Sequence, residues 1–108
     1  YLAAGGFRVE KGVAGIPTAF TATFGRGKPV VAILGEYDAL PELAQEAVPF
    51  RQPPADGNGY GHACGHHLFG VASATACLAV AEQLKAGTLS GTVRFYGCPA
   101  EEGGAAKV

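Results

Sequence analysis

The stretch from Val30 to Cys98 constrains the fold most. Val30-Val31-Ala32-Ile33-Leu34 is a continuous apolar run, the pattern of a strand buried on both faces. Residues 41–61 follow as a long loop holding Pro41, Pro49, Pro53, Pro54, Gly57, Gly59 and Gly61. From Leu68 to Leu84 the apolar positions recur at helical spacing, and Gly87 marks the stop. Gly91 to Cys98 (GTVRFYGC) reads as the next strand. A strand–helix–strand unit with buried strands implies a parallel pair inside an α/β sheet. Upstream, Phe7–Glu10 and Thr18–Phe24 alternate apolar and polar and predict two further strands, and residues 25–29 a turn. Tyr1-Leu2-Ala3-Ala4-Gly5-Gly6 reads as a helix end with its glycine stop. The predicted helix is apolar on most sides, so it is expected to be covered by more than these residues supply.

In open α/β sheets, sites lie beyond the carboxyl ends of the strands, and three chemical signals fall near such ends. The densest is Gly61-His62-Ala63-Cys64-Gly65-His66-His67, one thiol and three imidazoles just ahead of the helix. Thiolate and neutral imidazole are preferred zinc ligands, and a helix N-terminus lowers a thiol pKa. Read as extended chain, Cys64 and His66 point to one side. The second signal is Glu101-Glu102 after the last strand. In an extended backbone these face opposite ways, so one can bind metal while its neighbour takes a proton from a metal-bound water. On their own they also fit a solvated turn. The third is Glu36-Tyr37-Asp38-Ala39-Leu40-Pro41. There Asp38 either starts a turn before Pro41 or fixes the tautomer of a ligand imidazole. A closed structural zinc site lacks its second ligand pair, since Cys77 lies in the apolar helix and Cys98 at a strand end, where core packing is expected.

Composition narrows the partners. Lys plus Arg is 8 against Asp plus Glu 9, a formal charge of −1, which argues against nucleic acid. Hydrophobic residues at 48% and charged residues at 16% exclude a disordered tail. Ser, Thr and Glu interrupt the apolar stretches, so no membrane span is expected. An odd count of 3 Cys suits a reducing, cytoplasmic compartment. Met is absent and both ends open mid-pattern, so the expectation is a piece of a longer protein.

Gly35-Glu36-Tyr37-Asp38-Ala39-Leu40-Pro41, Gly61-His62-Ala63-Cys64-Gly65-His66 and Phe95-Tyr96-Gly97-Cys98-Pro99-Ala100-Glu101-Glu102-Gly103-Gly104 occur in this order over nearly the whole chain. Together they resemble the dinuclear-metal aminoacylase/carboxypeptidase family of amidohydrolases, with particular likeness to aminobenzoyl-glutamate hydrolase subunits and related N-acyl amino acid or dipeptide hydrolases. The resemblance implies an α/β, zinc-exopeptidase-like catalytic domain: a mixed, largely parallel sheet sandwiched by helices, of which residues 1–108 are the N-terminal portion without the lid or dimerisation domain. It implies two divalent metals, commonly zinc, with manganese, nickel or cobalt also known. By motif position Cys64 bridges the metals, His66 binds one, Glu102 binds the other, Glu101 is the general base and Asp38 supports the ligands. His62 and His67 have no assigned role; His67 stands where the family usually has Asp or Asn. The implied reaction is hydrolysis of the amide bond of an N-acyl or aminobenzoyl amino acid or dipeptide, in a homo- or hetero-oligomer. Further histidine ligands lie downstream in the family, so the 108-residue chain alone is expected to be inactive and marginally stable. A metal-binding or partner-activating subunit without activity of its own is the alternative.

Overall fold

The computed structural model describes residues 1–104. Four strands form one mixed sheet: β1 (Arg8–Lys11), β2 (Phe20–Arg26), β3 (Val30–Glu36) and β4 (Gly91–Cys98), in the order β1-β2-β4-β3. The helix α1 (His66–Lys85) connects β3 to β4. β3 and β4 are parallel, as the strand–helix–strand pattern requires, with Val30 opposite Thr92 and Glu36 opposite Cys98. The β1–β2 and β2–β4 pairings are antiparallel.

β4 coincides with the predicted strand. The helix begins two residues earlier than its apolar periodicity, because its first turn carries the imidazoles of His66 and His67 rather than apolar groups. β2 begins at Phe20 and runs on through Gly25 and Arg26, which were expected to turn. Gly25 accommodates a φ of 85° while its neighbours keep pairing with β4. The first residues do close like a helix end: the Gly5 N–H donates to Tyr1 O at 3.1 Å, and Gly6 has a φ of 91°.

α1 packs mainly on β3 and β4 and buries His66, Gly70, Cys77 and Ala81, residues on one helical face. Opposite them lie Val93 and Phe95 of β4, with Ala22 of β2, Leu2 and Phe7 completing the core. Cys77 and Cys98 are buried, as their apolar settings suggest. Two expectations need correction. Among the described residues β3 is not buried on both faces: Val30, Val31 and Leu34 are about half exposed, because β3 lies at the edge of these four strands and α1 covers one face of them. α1 itself meets the length and composition of a membrane span, its Ser, Thr and Glu residues notwithstanding. Here it lies along the sheet as the crossover between parallel strands, while Leu68, Phe69 and Val71 stay exposed.

Two glycines set how closely helix and sheet approach. A Cβ on Gly70 would sit 2.7 Å from the Glu36 carbonyl oxygen, and one on Gly35 would run into the Phe95 ring. Without side chains there, the first turn of α1 lies directly over the end of β3. His66 is one turn before Gly70, so this contact carries its ring to the Glu36–Asp38 segment.

Candidate metal centre

The carboxyl ends of β3 and β4 and the N-terminus of α1 meet at His66, whose ring is 6% exposed. Its Nδ1 lies 2.9 Å from Asp38 Oδ1. A carboxylate accepts only, so Nδ1 carries a proton, and in the neutral ring Nε2 presents its lone pair. That lone pair faces Glu36 Oε2 at 3.4 Å, Glu102 Oε1 at 3.8 Å and Glu101 Oε2 at 3.9 Å. Asp38 uses its other oxygen to accept the Glu102 backbone N–H at 3.0 Å. One carboxylate thereby ties the start of α1 to the turn after β4.

Burial works against charge on Asp38, yet the Glu102 N–H and the His66 ring N–H hold its carboxyl below the ordinary value. Burial also opposes protonation of His66, but the hydrogen bond to Asp38 and the charges of Asp38, Glu36 and Glu102 hold its pKa above the ordinary value. Both shifts describe a site built for positive charge. A lone pair aimed at three carboxylates is unfavourable unless a proton or a cation lies between them.

The donor atoms fall into two groups, each within a span of 4.8 Å: Cys64, His66 and Glu102, and Glu36, His66 and Glu101. A soft thiolate, an imidazole and carboxylates suit a first-row divalent ion. His66 belongs to both groups and has one nitrogen left free by Asp38, so the two groups are alternative settings for the same imidazole. An imidazole whose far N–H is held by a carboxylate is the usual arrangement of a metal-bound histidine. The residues present therefore fit a metal.

The structure brings Cys64, His66, Glu101, Glu102 and Asp38 together. Their local backbone differs from the sequence reading. Cys64 and His66 are not on extended chain: Gly65 between them is left-handed, with a φ of 73°, and turns the chain into the helix. Glu101 and Glu102 are also in a turn, so both carboxylates face His66 instead of opposite directions. The Cys64 thiol is pushed up in pKa, not down. Its hydrogen bond to the Glu102 carboxylate is the main cause, with partial desolvation and the charges of Glu102, Glu101 and Asp38 adding to it. A coordinated cation reverses this balance, since a ligating thiol loses its proton. Among the described residues, His62 and His67 fall in neither donor group. Their exposed rings pack on each other with centroids 4.4 Å apart. Glu36 is the site residue without a role in the sequence reading. Its position as the last residue of an apolar strand, in the same acidic segment as Asp38, was the available signal.

The carboxyl ends of two parallel strands and the start of the helix between them bring a Cys–His–Glu donor set together, the arrangement of a metal-binding α/β domain. The chain belongs to Peptidase family M20/M25/M40, whose family model matches residues 32–108. It is 50% identical over 106 residues to a subunit of the p-aminobenzoyl-glutamate hydrolase of Escherichia coli (strain K12), an alignment covering 98% of this chain and 22% of that protein. It is 44% identical over 82 residues to N-acetylcysteine deacetylase of Bacillus subtilis (strain 168), covering 74% of this chain and 20% of that protein. Among solved structures it resembles the Bacillus subtilis YxeP protein, described as a dinuclear metal binding peptidase from the M20 family. The TM-score is 0.73 at 32% identity, over 96% of this chain and 28% of that one. The chain thus spans about a fifth of the length of these curated relatives.

Proposed function

We propose that residues 1–108 are the N-terminal part of a catalytic domain that hydrolyses the amide bond of an N-acyl or aminobenzoyl amino acid, or of a dipeptide, with two divalent metal ions. The observation that carries this reading is the convergence of Cys64, His66 and Glu102 around one point, with a second carboxylate, Glu101, beside them. The names of the two curated relatives both describe hydrolysis of an N-acylated amino acid, which supports the substrate class. The dinuclear description of the YxeP protein supports a metal pair, and zinc suits the thiolate.

In this reading the Cys64 thiolate, His66 Nε2 and the Glu102 carboxylate would hold the ions, with Cys64 shared between them. Metal bound there supplies Lewis-acid polarisation of the scissile carbonyl and a lowered pKa for the attacking water. Glu101 accepts the proton of that water on a carboxylate oxygen and returns it to the leaving nitrogen as the amide bond breaks. Asp38 holds the His66 ring by its Nδ1–H and the Glu102 backbone by its N–H, so one side chain orients an imidazole and an acidic turn together. An oligomer, homo- or hetero-, is supported by the Escherichia coli relative, which is named as one subunit of its hydrolase. The same naming favours the second reading, a subunit that activates a partner. A cytoplasmic location accords with three free thiols.

Chelation tests the reading. The full-length protein, stripped with a chelator, is expected to lose hydrolysis of p-aminobenzoyl-glutamate and of N-acetyl amino acids, and to regain it with added zinc or manganese. Hydrolysis that survives complete metal removal would overturn it. Activity that appears only when a second chain is added would favour the partner-activating reading.

A further inference from the structure

The loop between β3 and α1 is closed at its base. The Leu40 N–H donates to Gly61 O and the Gly61 N–H to Leu40 O, both at 2.9 Å, forming an isolated antiparallel bridge. Beyond this clasp the loop supports itself. The Gln45 side chain donates to Phe50 O at 2.8 Å and accepts from the Gln52 N–H at 2.9 Å, and the Glu46 N–H donates to Gln52 O at 2.9 Å. Both arms leaving the clasp lead into the metal centre: Asp38 is two residues before Leu40, and Cys64 three residues after Gly61. Asp38 holds His66 and Glu102 by hydrogen bonds and the Cys64 thiol bonds to the Glu102 carboxylate, but the exposed turn that carries Cys64 has a backbone bond, Gly65 N–H to His62 O at 3.1 Å, that is local. The clasp therefore sets where that turn starts. Gly61 is sterically reserved, since a Cβ there would run into the Leu43 carbonyl and come within 2.8 Å of the Ala44 nitrogen.

We propose that the Leu40–Gly61 pair is a positioning clasp, holding the Cys64 thiol in register with Asp38, His66 and Glu102, and that Gly61 is its essential residue. This inference rests on the proposed metal centre. Its purpose is separate from that of the loop body: the clasp places a ligand, and the residues beyond it do not.

Cobalt(II) titration of the full-length protein tests it, read by the thiolate-to-cobalt charge-transfer absorption and not by activity. Gly61→Ala is expected to weaken cobalt binding by about tenfold or more and to diminish the thiolate band, with the far-ultraviolet circular dichroism of the cobalt-free protein unchanged. A second variant replaces residues 41–60 with Asn-Gly, so that Leu40 and Gly61 flank a two-residue hairpin. It keeps the clasp, removes Leu43, and is expected to bind cobalt as the parent does. Adding Gly61→Ala to this variant is expected to have no effect, because the obstructing carbonyl is gone. An unaltered thiolate band in Gly61→Ala of the parent, or its loss in the folded hairpin variant, would overturn the clasp alone. A parent protein without any thiolate band would overturn the metal centre and the clasp together.

Discussion

Glu101→Gln in the full-length protein is expected to lower turnover by about 10²–10⁴-fold while leaving bound metal unchanged. The substitution keeps the size and planar shape of the side chain and removes its capacity to take up a proton. Glu101 Oε2 is 3.9 Å from His66 Nε2 and its side chain is one-third exposed, so it lies close to the donor atoms and within reach of water. Glu102 stands equally near His66, but it groups with the Cys64 sulfur and its backbone N–H donates to Asp38. Glu102→Gln is accordingly expected to lose metal as well as turnover. Steady-state kinetics together with metal analysis separate the two. Normal turnover in Glu101→Gln would remove this residue from the mechanism, and metal loss in it would make it a ligand instead.

Gly70→Val is expected to destabilise the fold by about 1–3 kcal/mol and to abolish high-affinity metal binding. Helix propensity alone predicts the opposite, because valine is a slightly better helix residue than glycine. The steric effect wins because the obstacle is main chain. A Cβ at this position meets the Glu36 carbonyl oxygen at 2.7 Å and the Tyr37 Cβ at 3.4 Å, so no rotamer change relieves it and α1 has to move off β3. His66, on the same face one turn earlier, moves with the helix and leaves Asp38 and Glu36 behind. Thermal melting and a metal titration check this. A variant with wild-type melting and affinity would show that the close helix–strand approach does not position the site.

The fold was legible where periodicity was strong. The eight-residue alternation of β4 and the apolar run of β3 each gave their element, and the intervening helix gave the parallel pairing. Burial was less legible. The composition of β3 suits an interior strand, but whether it is interior depends on what packs against its edge and its second face, and composition says nothing of that. The donor residues were legible as residue types, because thiol, imidazole and carboxylate are uncommon together at strand ends. Their directions were not. Cys64, Glu101 and Glu102 lie in turns, where side-chain orientation follows from individual backbone angles such as the left-handed Gly65 and not from a strand's alternation. In the sequence Glu36 is not distinguished from Asp38, which answers the same chemical need two residues later, and the packing of Gly70 on β3 is what shows that both carboxylates reach one ring.

In the proposed centre, sulfur and imidazole from the start of α1 and a carboxylate from the turn after β4 share a metal. X-ray absorption at the zinc edge of the loaded full-length protein tests it most directly. A sulfur neighbour is expected at about 2.3 Å beside nitrogen and oxygen neighbours at about 2.0–2.2 Å, with the sulfur removed by Cys64→Ser. A shell of nitrogen and oxygen alone, or a sulfur signal that persists in Cys64→Ser, would contradict it.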